Sequence, residues 1–339
     1  MDQKVQLDHL RKSSQDKPLS RRDFISALSI ASAAGPGLIA ATLSGVTLTR
    51  SQRAEAAESM VAAIGKLPRR KMGTKMGNMK LTPICICSDW NPELIAPALS
   101  LGINYIHKAG YWGDNVPDVV KALPRESYYT DITVDNTPDH PADYDTAYNQ
   151  VINSLDKNGL KYYDIYRAHF GWKTLDAFKT QDASYKAFQR LKREGKVRYF
   201  GVSQHPYVPY PEIIQAEIDS GIIDAMQVWF TYGTHPPTQA IFAAASKAGI
   251  GMTAMKIYSN GHINMQNNPD LMQQMKAPGL LGRSLIRYVL AQKRPDHRPI
   301  FDTCVTALGN MQVFEENIGA VSHQIAMKDG YLPNQEWMA

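Results

Sequence analysis

The chain has few cysteines and little excess charge. Its three cysteines are too few for a disulfide framework in 339 residues, and Cys85 and Cys87 alternate on one predicted strand, where we expect small buried side chains. The formal charge is +5, but eight basic and five acidic residues precede residue 57, so the rest carries only about +2. This small excess gives no reason to expect a nucleic acid or an anionic surface as a partner. We expect the basic cluster at 69–71 to be solvated.

The N-terminus carries an export pattern. Arg21 and Arg22 follow Ser20 and precede Phe24, and a weakly apolar run from 24 to 49 comes next. This pattern is typical of a twin-arginine signal, whose translocase would be a partner and would deliver the protein, already folded, to the periplasm. Ala54-Glu55-Ala56 supplies a small-x-small cleavage pattern. The run at 24–49 is also long enough to anchor an uncleaved chain in a membrane, although Gly and Ser residues make it a poor span.

The domain organisation follows from this signal. We predict a signal peptide over 1–56, a lead-in segment over 57–80, a barrel over 81–325 and a polar C-terminal tail over 326–339. The 283 residues after position 56 suit one (β/α)-barrel of about 250 residues. We expect membrane contact only through the signal segment.

Short apolar runs alternate with helical patterns after Pro83. This alternation predicts an α/β fold, a parallel (β/α)8 TIM barrel. A doubly wound sheet is the alternative, but no Gly-x-Gly-x-x-Gly follows the first strand. The predicted strands are 84–87, 103–107, 128–134, 163–169, 197–203, 225–230, 251–256 and 301–306.

Polar residues stand where the predicted strands end, the face at which such barrels carry their chemistry. A lone histidine at a strand end is more often structural, but His107 and His169 are on strands two and four of this series, which makes a functional role as plausible as a structural one. The full set of strand-end residues is Cys87, His107, Asp135, His169, Ser203, Gln204, His205, Gln227, Lys256 and Thr306.

Five segments, spread in order between residues 71 and 321, resemble motifs of the aldo/keto reductase family. GINYIHKA at 102–109 is similar to the family's GINYFDTA, and 154–169 is similar to SLxxLGLDYxDLYxxH. LKREGKVRYFGVS at 191–203 is close to LxxxGKVRxxGVS and is the most specific match. QVWFT, which starts at Gln227, resembles the family's QxxYN, and EEN at 315–317 resembles the EEN of the family's last helix. The resemblance implies reduction of a small carbonyl substrate by hydride transfer from NADP or NAD.

The family's proton-transfer group is altered in this chain. The resemblance implies an acidic tyrosine supported by an aspartate, a lysine and a histidine. His169 keeps the histidine position, His107 stands at the aspartate position, and Trp112 stands at the tyrosine position with Tyr111 beside it. No lysine lies between Lys121 and Lys157, so the third-strand lysine is absent. Either Tyr111, oriented by His169, or His107 itself is a candidate donor.

The cofactor-binding positions are better preserved. The resemblance implies that Ser203, Gln204 and Gln227 hold the nicotinamide carboxamide and that Met255 and Lys256 lie at the seventh strand beside the nicotinamide. A second group implied to bind the dinucleotide is Asn310, Glu316 and Asn317. Gly309 and Val313 replace residues that often read the 2′-phosphate, so a preference between NADP and NAD is not predicted.

Three functions are compatible with this pattern. The first is an exported NAD(P)-dependent reductase with an altered proton donor. The second is a catalytically degenerate barrel that acts as a binding or assembly protein in the cell envelope. The third, ranked lower, is a metal-assisted site that uses His107 and His169 with His205 or Asp135, although no compact ligand motif is present and no metal is predicted.

Overall fold

The structure is a computed structural model. It describes residues 65–110, 115–135, 143–169, 183–205, 210–234, 236–258, 269–277, 279–308 and 310–331, and helical residues at 52, 55, 58, 59, 61, 62 and 64. Within these ranges no helix is both long and apolar enough to cross a bilayer. The apolar run at 24–49 and both signal arginines lie outside the described residues.

Eight parallel strands close into a barrel in the order β10-β3-β4-β5-β6-β7-β8-β9. The predicted TIM barrel is therefore confirmed, with strand ends shifted by a few residues from the sequence prediction. A separate antiparallel hairpin consists of β1 (Arg70–Lys71) and β2 (Lys80–Leu81). The barrel strands are β3 (Ile84–Trp90), β4 (Tyr105–Gly110), β5 (Tyr129–Val134), β6 (Tyr163–Ala168), β7 (Val197–Gln204), β8 (Ala225–Trp229), β9 (Gly251–Met255) and β10 (Thr303–Leu308).

Helices follow the strands and cover the barrel. Those of the described residues are α1 (Ile95–Ser100), α2 (Asp118–Lys121), α3 (Tyr144–Asn158), α4 (Ala183–Arg193), α5 (Tyr210–Ser220), α6 (Pro236–Lys247), α7 (Pro269–Gln274), α8 (Leu281–Leu290), α9 (Met311–Val321) and α10 (His323–Lys328). Helix α3 illustrates the local signals: the Asp143 side chain caps its first turn through Thr146 N, and Gly159 ends it in the left-handed region.

The β1–β2 hairpin covers the floor of the barrel, although the sequence analysis divides it between the lead-in segment and the barrel. Met72, Met76 and Met79 are buried with Cys85 in one apolar cluster at this end. The turn at Gly73 lies so close to Gly249 that the amides of Thr74 and Lys75 both donate to the Gly249 carbonyl. Backbone of the hairpin therefore packs directly on backbone of the barrel.

The expectation that the 69–71 cluster is solvated was wrong for Arg70. Its side chain is buried, and burial lowers its pKa while the carboxylate of Asp302 opposes the change. The reason is the hairpin: in β1, Arg70 points into the barrel floor while its strand neighbour Lys71 points to solvent. Alternation along a strand, rather than the charge run, decides which of these side chains is exposed.

The first residues of the predicted C-terminal tail are part of the packed structure. Helix α10 runs from His323 to Lys328 and so crosses the predicted boundary at 325. Just beyond it, Asp329 accepts hydrogen bonds from Arg283 and Arg287 of α8. The end of the chain is thereby fixed to the barrel's outer layer as far as Tyr331, whose ring lies under Arg287.

Candidate active site

Alternation along the strands places one set of polar side chains inside the barrel. Two hydrogen bonds cross between strands that are not neighbours in the sheet: His107 of β4 contacts Gln227 of β8, and Arg167 of β6 contacts Tyr105 of β4. Such contacts are possible only through the interior. The side chains at these alternate positions therefore fill the barrel and reach the carboxyl-end rim.

Asp131 lies at the centre of this interior group. Its Oδ2 accepts from the Tyr105 hydroxyl at 2.9 Å and from Arg167 Nε at 2.9 Å, and both its oxygens lie 2.8 Å from His107 Nδ1. Arg167 Nη2 also donates to the Tyr105 hydroxyl at 2.8 Å. Tyr105, Asp131 and Arg167 are fully buried, while His107 keeps 11% of its side chain exposed. We call these four residues the interior network.

The surroundings of Asp131, Arg167 and Tyr105 shift the pKa of each group. Burial raises the pKa of Asp131, but His107 and Arg167 outweigh this effect and lower the pKa to about 2. Burial lowers the pKa of Arg167, but Tyr105 and Asp131 outweigh it and the pKa is raised. Burial raises the pKa of Tyr105 well above its usual value. The carboxylate and the guanidinium are therefore ionised at neutral pH, and the phenol is not.

Tyr105, Asp131 and Arg167 were not predicted from the sequence as site residues. Asp131 stands in the middle of β5 and Arg167 in the middle of β6, and both side chains are fully buried. A buried charged residue is rarely left unpaired. Opposite charges in the middle of two adjacent predicted strands would have been the signal.

His107 connects the interior network to the rim. Because its Nδ1 faces Asp131, its Nε2 points the other way and lies 3.3 Å from Gln227 Nε2. Gln227 Nε2 also lies 3.4 Å from Met255 Sδ. The structure thus brings together three predicted site residues, His107, Gln227 and Met255.

His169 and His205 form a second histidine group at the rim. Their ring centres are 5.8 Å apart, and the ring of His205 is 6.1 Å from that of Trp229. Burial lowers the pKa of His169 to about 3, with His205, His107 and Lys256 adding to the effect. Burial also lowers the pKa of His205 to about 4, and Lys256 contributes. Both imidazoles are neutral at pH 7, so neither serves as a cationic acid there.

Ser203 and Gln204 point to opposite sides of β7. Ser203 is buried and pairs in register with Gln227 on β8. Gln204 instead donates from its amide to Glu217 of α5, in the helix layer. Burial raises the pKa of Glu217 to about 8, although Gln204 opposes the change. Of this predicted pair, only Ser203 shares a face with Gln227.

The residues predicted to hold the rest of a dinucleotide lie on α9 and its start. Asn310 caps α9 through Val313 N at 3.0 Å. Glu316 accepts from Gly282 N at 2.7 Å, and Asn317 accepts from the Tyr258 hydroxyl at 2.5 Å. These contacts fix the start of α8 and the loop after β9 against α9.

Lys256 directly follows β9 with an exposed side chain and a left-handed backbone at φ 58°. Few residues other than glycine adopt this conformation, and it turns the chain sharply at the rim. Tyr111 and Trp112, the other predicted catalytic residues, lie outside the described residues, as does Gly309.

Asp135 lies beside α3 and is not part of the interior network. Its backbone amide donates to Gln150 of α3, and it lines an open, polar cavity of about 800 Å³ beside that helix. Over the part of the chain that the structure describes, no group of three or more histidine, cysteine or carboxylate residues is arranged to hold a metal ion. The three cysteines are buried, as expected from the sequence.

Gln227 provides a test of whether the site suits a nicotinamide. Its Oε1 is buried and has no hydrogen-bond partner among the described residues. A buried acceptor without a donor is costly, so a ligand that supplies an N–H is expected there. A carboxamide supplies such a donor, and Ser203 beside Gln227 adds a hydroxyl. The residues present therefore fit a nicotinamide group.

A family model and a known relative each match most of the chain. The family model described as the aldo/keto reductase family matches residues 91–326. L-galactose dehydrogenase of Arabidopsis thaliana is 24% identical over 258 residues, which cover 67% of this chain and 76% of that protein.

Solved structures show the same fold. The holo form of an aldo-keto reductase from Bacillus halodurans has a TM-score of 0.57 at 18% identity and covers 80% of this chain and all of its own. An aldo/keto reductase from Brucella melitensis has a TM-score of 0.52 at 16% identity and covers 75% of this chain and 93% of its own. With its family model matched over most of its length, the chain belongs to the aldo/keto reductase family and is an NAD(P)-dependent oxidoreductase of that type.

Proposed function

We propose that the enzyme catalyses hydride transfer between a nicotinamide dinucleotide and a small carbonyl substrate, with His107 as the proton donor in place of the family's tyrosine. One observation carries the proposal. His107 is the titratable side chain whose Nδ1 is fixed by a carboxylate and whose Nε2 faces the rim beside Gln227. Histidine is the side chain most often used as a general acid, and this orientation leaves Nε2 directed toward the rim for proton transfer.

The cofactor would be held from two sides. Ser203 and Gln227 would bind the carboxamide, and Met255 would pack near it. When bound, the reduced nicotinamide supplies the hydride. We propose little discrimination between NADP(H) and NAD(H), because the Asn310 side chain already caps α9 and Val313 adds no charge at this end.

Reduction balances with one proton from the protein. The carbonyl carbon gains the hydride with its electron pair, and the carbonyl oxygen gains the proton from His107 Nε2, which gives an alcohol. A protonated Nε2 cannot accept from the Gln227 amide nitrogen, so the carbonyl oxygen would replace Gln227 as the hydrogen-bond partner of Nε2 in this state. His107 is left neutral and regains a proton from solvent through its partly exposed edge. His169 and His205, being neutral, would orient the oxygen through an N–H without changing charge.

The substrate class is a small aldehyde, ketone or aldose. The named relative is a dehydrogenase for L-galactose, so the assay includes L-galactose with NAD⁺ and with NADP⁺ as well as simple aldehydes with the reduced cofactors. Reduction and oxidation share one transition state, so either direction tests the same residues.

The test pairs two histidine variants. His107→Gln should lower kcat/KM at least 100-fold, the usual contribution of a general acid, and leave the Kd for the dinucleotide within about twofold. His323→Gln, an exposed histidine at the start of α10, is the control and should keep full activity. Full activity in His107→Gln would reject His107 as the donor, and absence of dinucleotide binding in the parent protein would reject the function.

We also propose that the enzyme is exported already folded by the twin-arginine translocase and acts in the periplasm. The support is the sequence around Arg21 and Arg22. Replacing both arginines by lysine should keep the precursor in the cytoplasm, measured by fractionation. Unchanged export would reject this proposal and would leave the catalytic proposal intact.

A further inference from the structure

Asp131 contacts both the His107 imidazole and the Arg167 guanidinium with one carboxylate, and this arrangement extends the proposed function. His107 Nδ1 and Arg167 Nε approach Asp131 at 2.8 and 2.9 Å, and both contacts lie inside the barrel away from bulk water. In a poorly hydrated interior, a carboxylate with an imidazole as its sole cationic partner would bind the imidazole's proton tightly. A tightly held proton is a poor one to transfer.

Arg167 changes this balance. Its guanidinium is fully buried, donates to Asp131 and to the Tyr105 hydroxyl, and lies 3.4 Å from the Val202 carbonyl. It therefore supplies a fixed positive charge that compensates Asp131. The Tyr105 hydroxyl bridges Arg167 and Asp131 and carries no net charge of its own.

We propose that Asp131 and Arg167 are positioning residues for the proton transfer by His107. Asp131 fixes the imidazole with Nε2 toward the rim, and Arg167 cancels the charge of Asp131 so that the proton on His107 can leave. The Tyr105 hydroxyl forms hydrogen bonds with both Asp131 and Arg167 and so holds the guanidinium beside the carboxylate. This inference rests on the proposed function, since it assigns a purpose to residues that touch neither substrate nor cofactor.

The charged and titratable groups around His107 come from several strands. Asp131 faces it from β5, and Arg167 and His169 lie on the β6 side, with Arg167 acting through Asp131. Cys87 is its register partner on β3, and Tyr105 is on its own strand. Asp131 is the carboxylate that contacts His107, so its charge and that of Arg167 should dominate the response to substitution.

The variants shift the charge in opposite directions. Asp131→Asn removes a negative charge, so the titration midpoint of His107 should fall by about one pH unit or more, and the alkaline limb of kcat/KM for reduction should move down with it. Arg167→Met removes a positive charge, so the titration midpoint of His107 and the alkaline limb of kcat/KM should both move up by a similar amount. A purely structural role would produce no shifts, or shifts of the same sign.

Two controls keep the charge unchanged. Arg167→Lys retains the cation but loses the planar fork, so the midpoint should stay within about 0.3 units while kcat falls. Tyr105→Phe removes only the bridging hydroxyl and should also leave the midpoint in place. In both controls the Kd for the dinucleotide should stay within about twofold.

The midpoint is measured by NMR titration of the imidazole, with the His107 resonance assigned as the signal missing from His107→Gln. This readout needs no turnover, so it tests the charge balance around His107 separately from the role of His107 as the proton donor, which the kcat/KM of His107→Gln tests. Opposite shifts in Asp131→Asn and Arg167→Met support the inference, and absent or same-sign shifts in folded variants overturn it. If Arg167→Met does not fold, a fall in the Asp131→Asn midpoint supports the inference and its absence overturns it.

Discussion

Arg287 Nη2 lies 2.6 Å from Asp329 Oδ2, and this ion pair fastens the last described turn of the chain to α8. Arg287 is fully buried and also donates to the carbonyls of Met275, Lys276 and Gly319. Arg283 shares the same carboxylate oxygen at 3.1 Å. One aspartate beyond α10 therefore serves two buried arginines.

Asp329→Ala should lower the free energy of unfolding by about 2–4 kcal/mol, because it leaves the buried Arg287 without its carboxylate partner and Arg283 with Glu315 alone. The matched control is Asp296→Ala, which removes an exposed partner of Arg294 and should lower the free energy of unfolding much less. Urea unfolding of both variants measures the difference. Equal losses of unfolding free energy in the two variants would show that the contact of Asp329 with α8 does not stabilise the fold as proposed.

Gly73→Ala should be far more damaging than Gly159→Ala, although both glycines have left-handed φ angles, 52° and 64°. A Cβ on Gly73 would lie 2.6 Å from the Gly249 carbonyl oxygen, whereas a Cβ on Gly159 would meet nothing within 4 Å. We expect about 1 kcal/mol for Gly159→Ala and about 3 kcal/mol or more for Gly73→Ala. Thermal unfolding distinguishes them, and similar Tm losses would mean that the hairpin does not close the floor tightly.

His169 should make the fold sensitive to acid. Its pKa is lowered to about 3 in the folded protein and is near 6.5 in the unfolded chain, so the unfolded chain binds the proton first. Stability is therefore lost as pH falls from about 6.5 toward 3. In His169→Phe, the loss in unfolding free energy between pH 7 and pH 4.5 should be smaller by about 1–3 kcal/mol. The exposed His297 replaced by Asn is the control, and equal losses in all three proteins would contradict the prediction.

Glu217 should make the fold less stable as the pH rises, the opposite of the effect of His169. Its pKa is raised to about 8 by burial and lies near 4.5 in the unfolded chain, so the folded protein holds the proton longer. Stability is therefore lost as pH rises from about 4.5 through 8. Glu217→Gln should be more stable than the parent protein at pH 8.5 by about 2–4 kcal/mol and similar at pH 4.5.

Glu212, exposed on the same helix α5, provides the control for this measurement. Glu212→Gln should change the unfolding free energy by less than about 0.5 kcal/mol at either pH. A Glu217→Gln protein that gains nothing between pH 4.5 and 8.5 would show that the carboxyl of Glu217 is already ionised in the fold.

Gln227→Leu should weaken dinucleotide binding about tenfold, because it removes the buried Oε1 that would accept a hydrogen bond from the nicotinamide carboxamide. Gln239→Leu, which breaks a glutamine pair with Gln292 in the helix layer, should leave the Kd unchanged. Titration of the protein into reduced dinucleotide, followed by fluorescence, gives both constants. Parent-like affinity in Gln227→Leu would remove Gln227 from the binding site.

The barrel and part of its site were predictable from local patterns. Apolar runs of strand length separated by helical periods indicate a parallel barrel, and residues that end such strands must meet at one rim. His107, Ser203, Gln227 and Met255 were predicted this way as site residues, with help from the family resemblance, and the structure places His107, Gln227 and Met255 in contact. The same reasoning misplaced the side chain of Gln204, which lies against Glu217 of α5, because one residue along a strand reverses the face on which a side chain lies.

The sequence by itself determined the order and number of the barrel strands, because each strand is encoded by its own short run of residues. Only the tertiary structure decided that Tyr105, Asp131 and Arg167 meet beneath His107, and that Arg70 and Asp329 are parts of the packed core and its outer layer. These contacts join residues from different strands or distant segments, and their energies depend on burial and on distances across the closed barrel. Neither quantity exists until the sheet has closed.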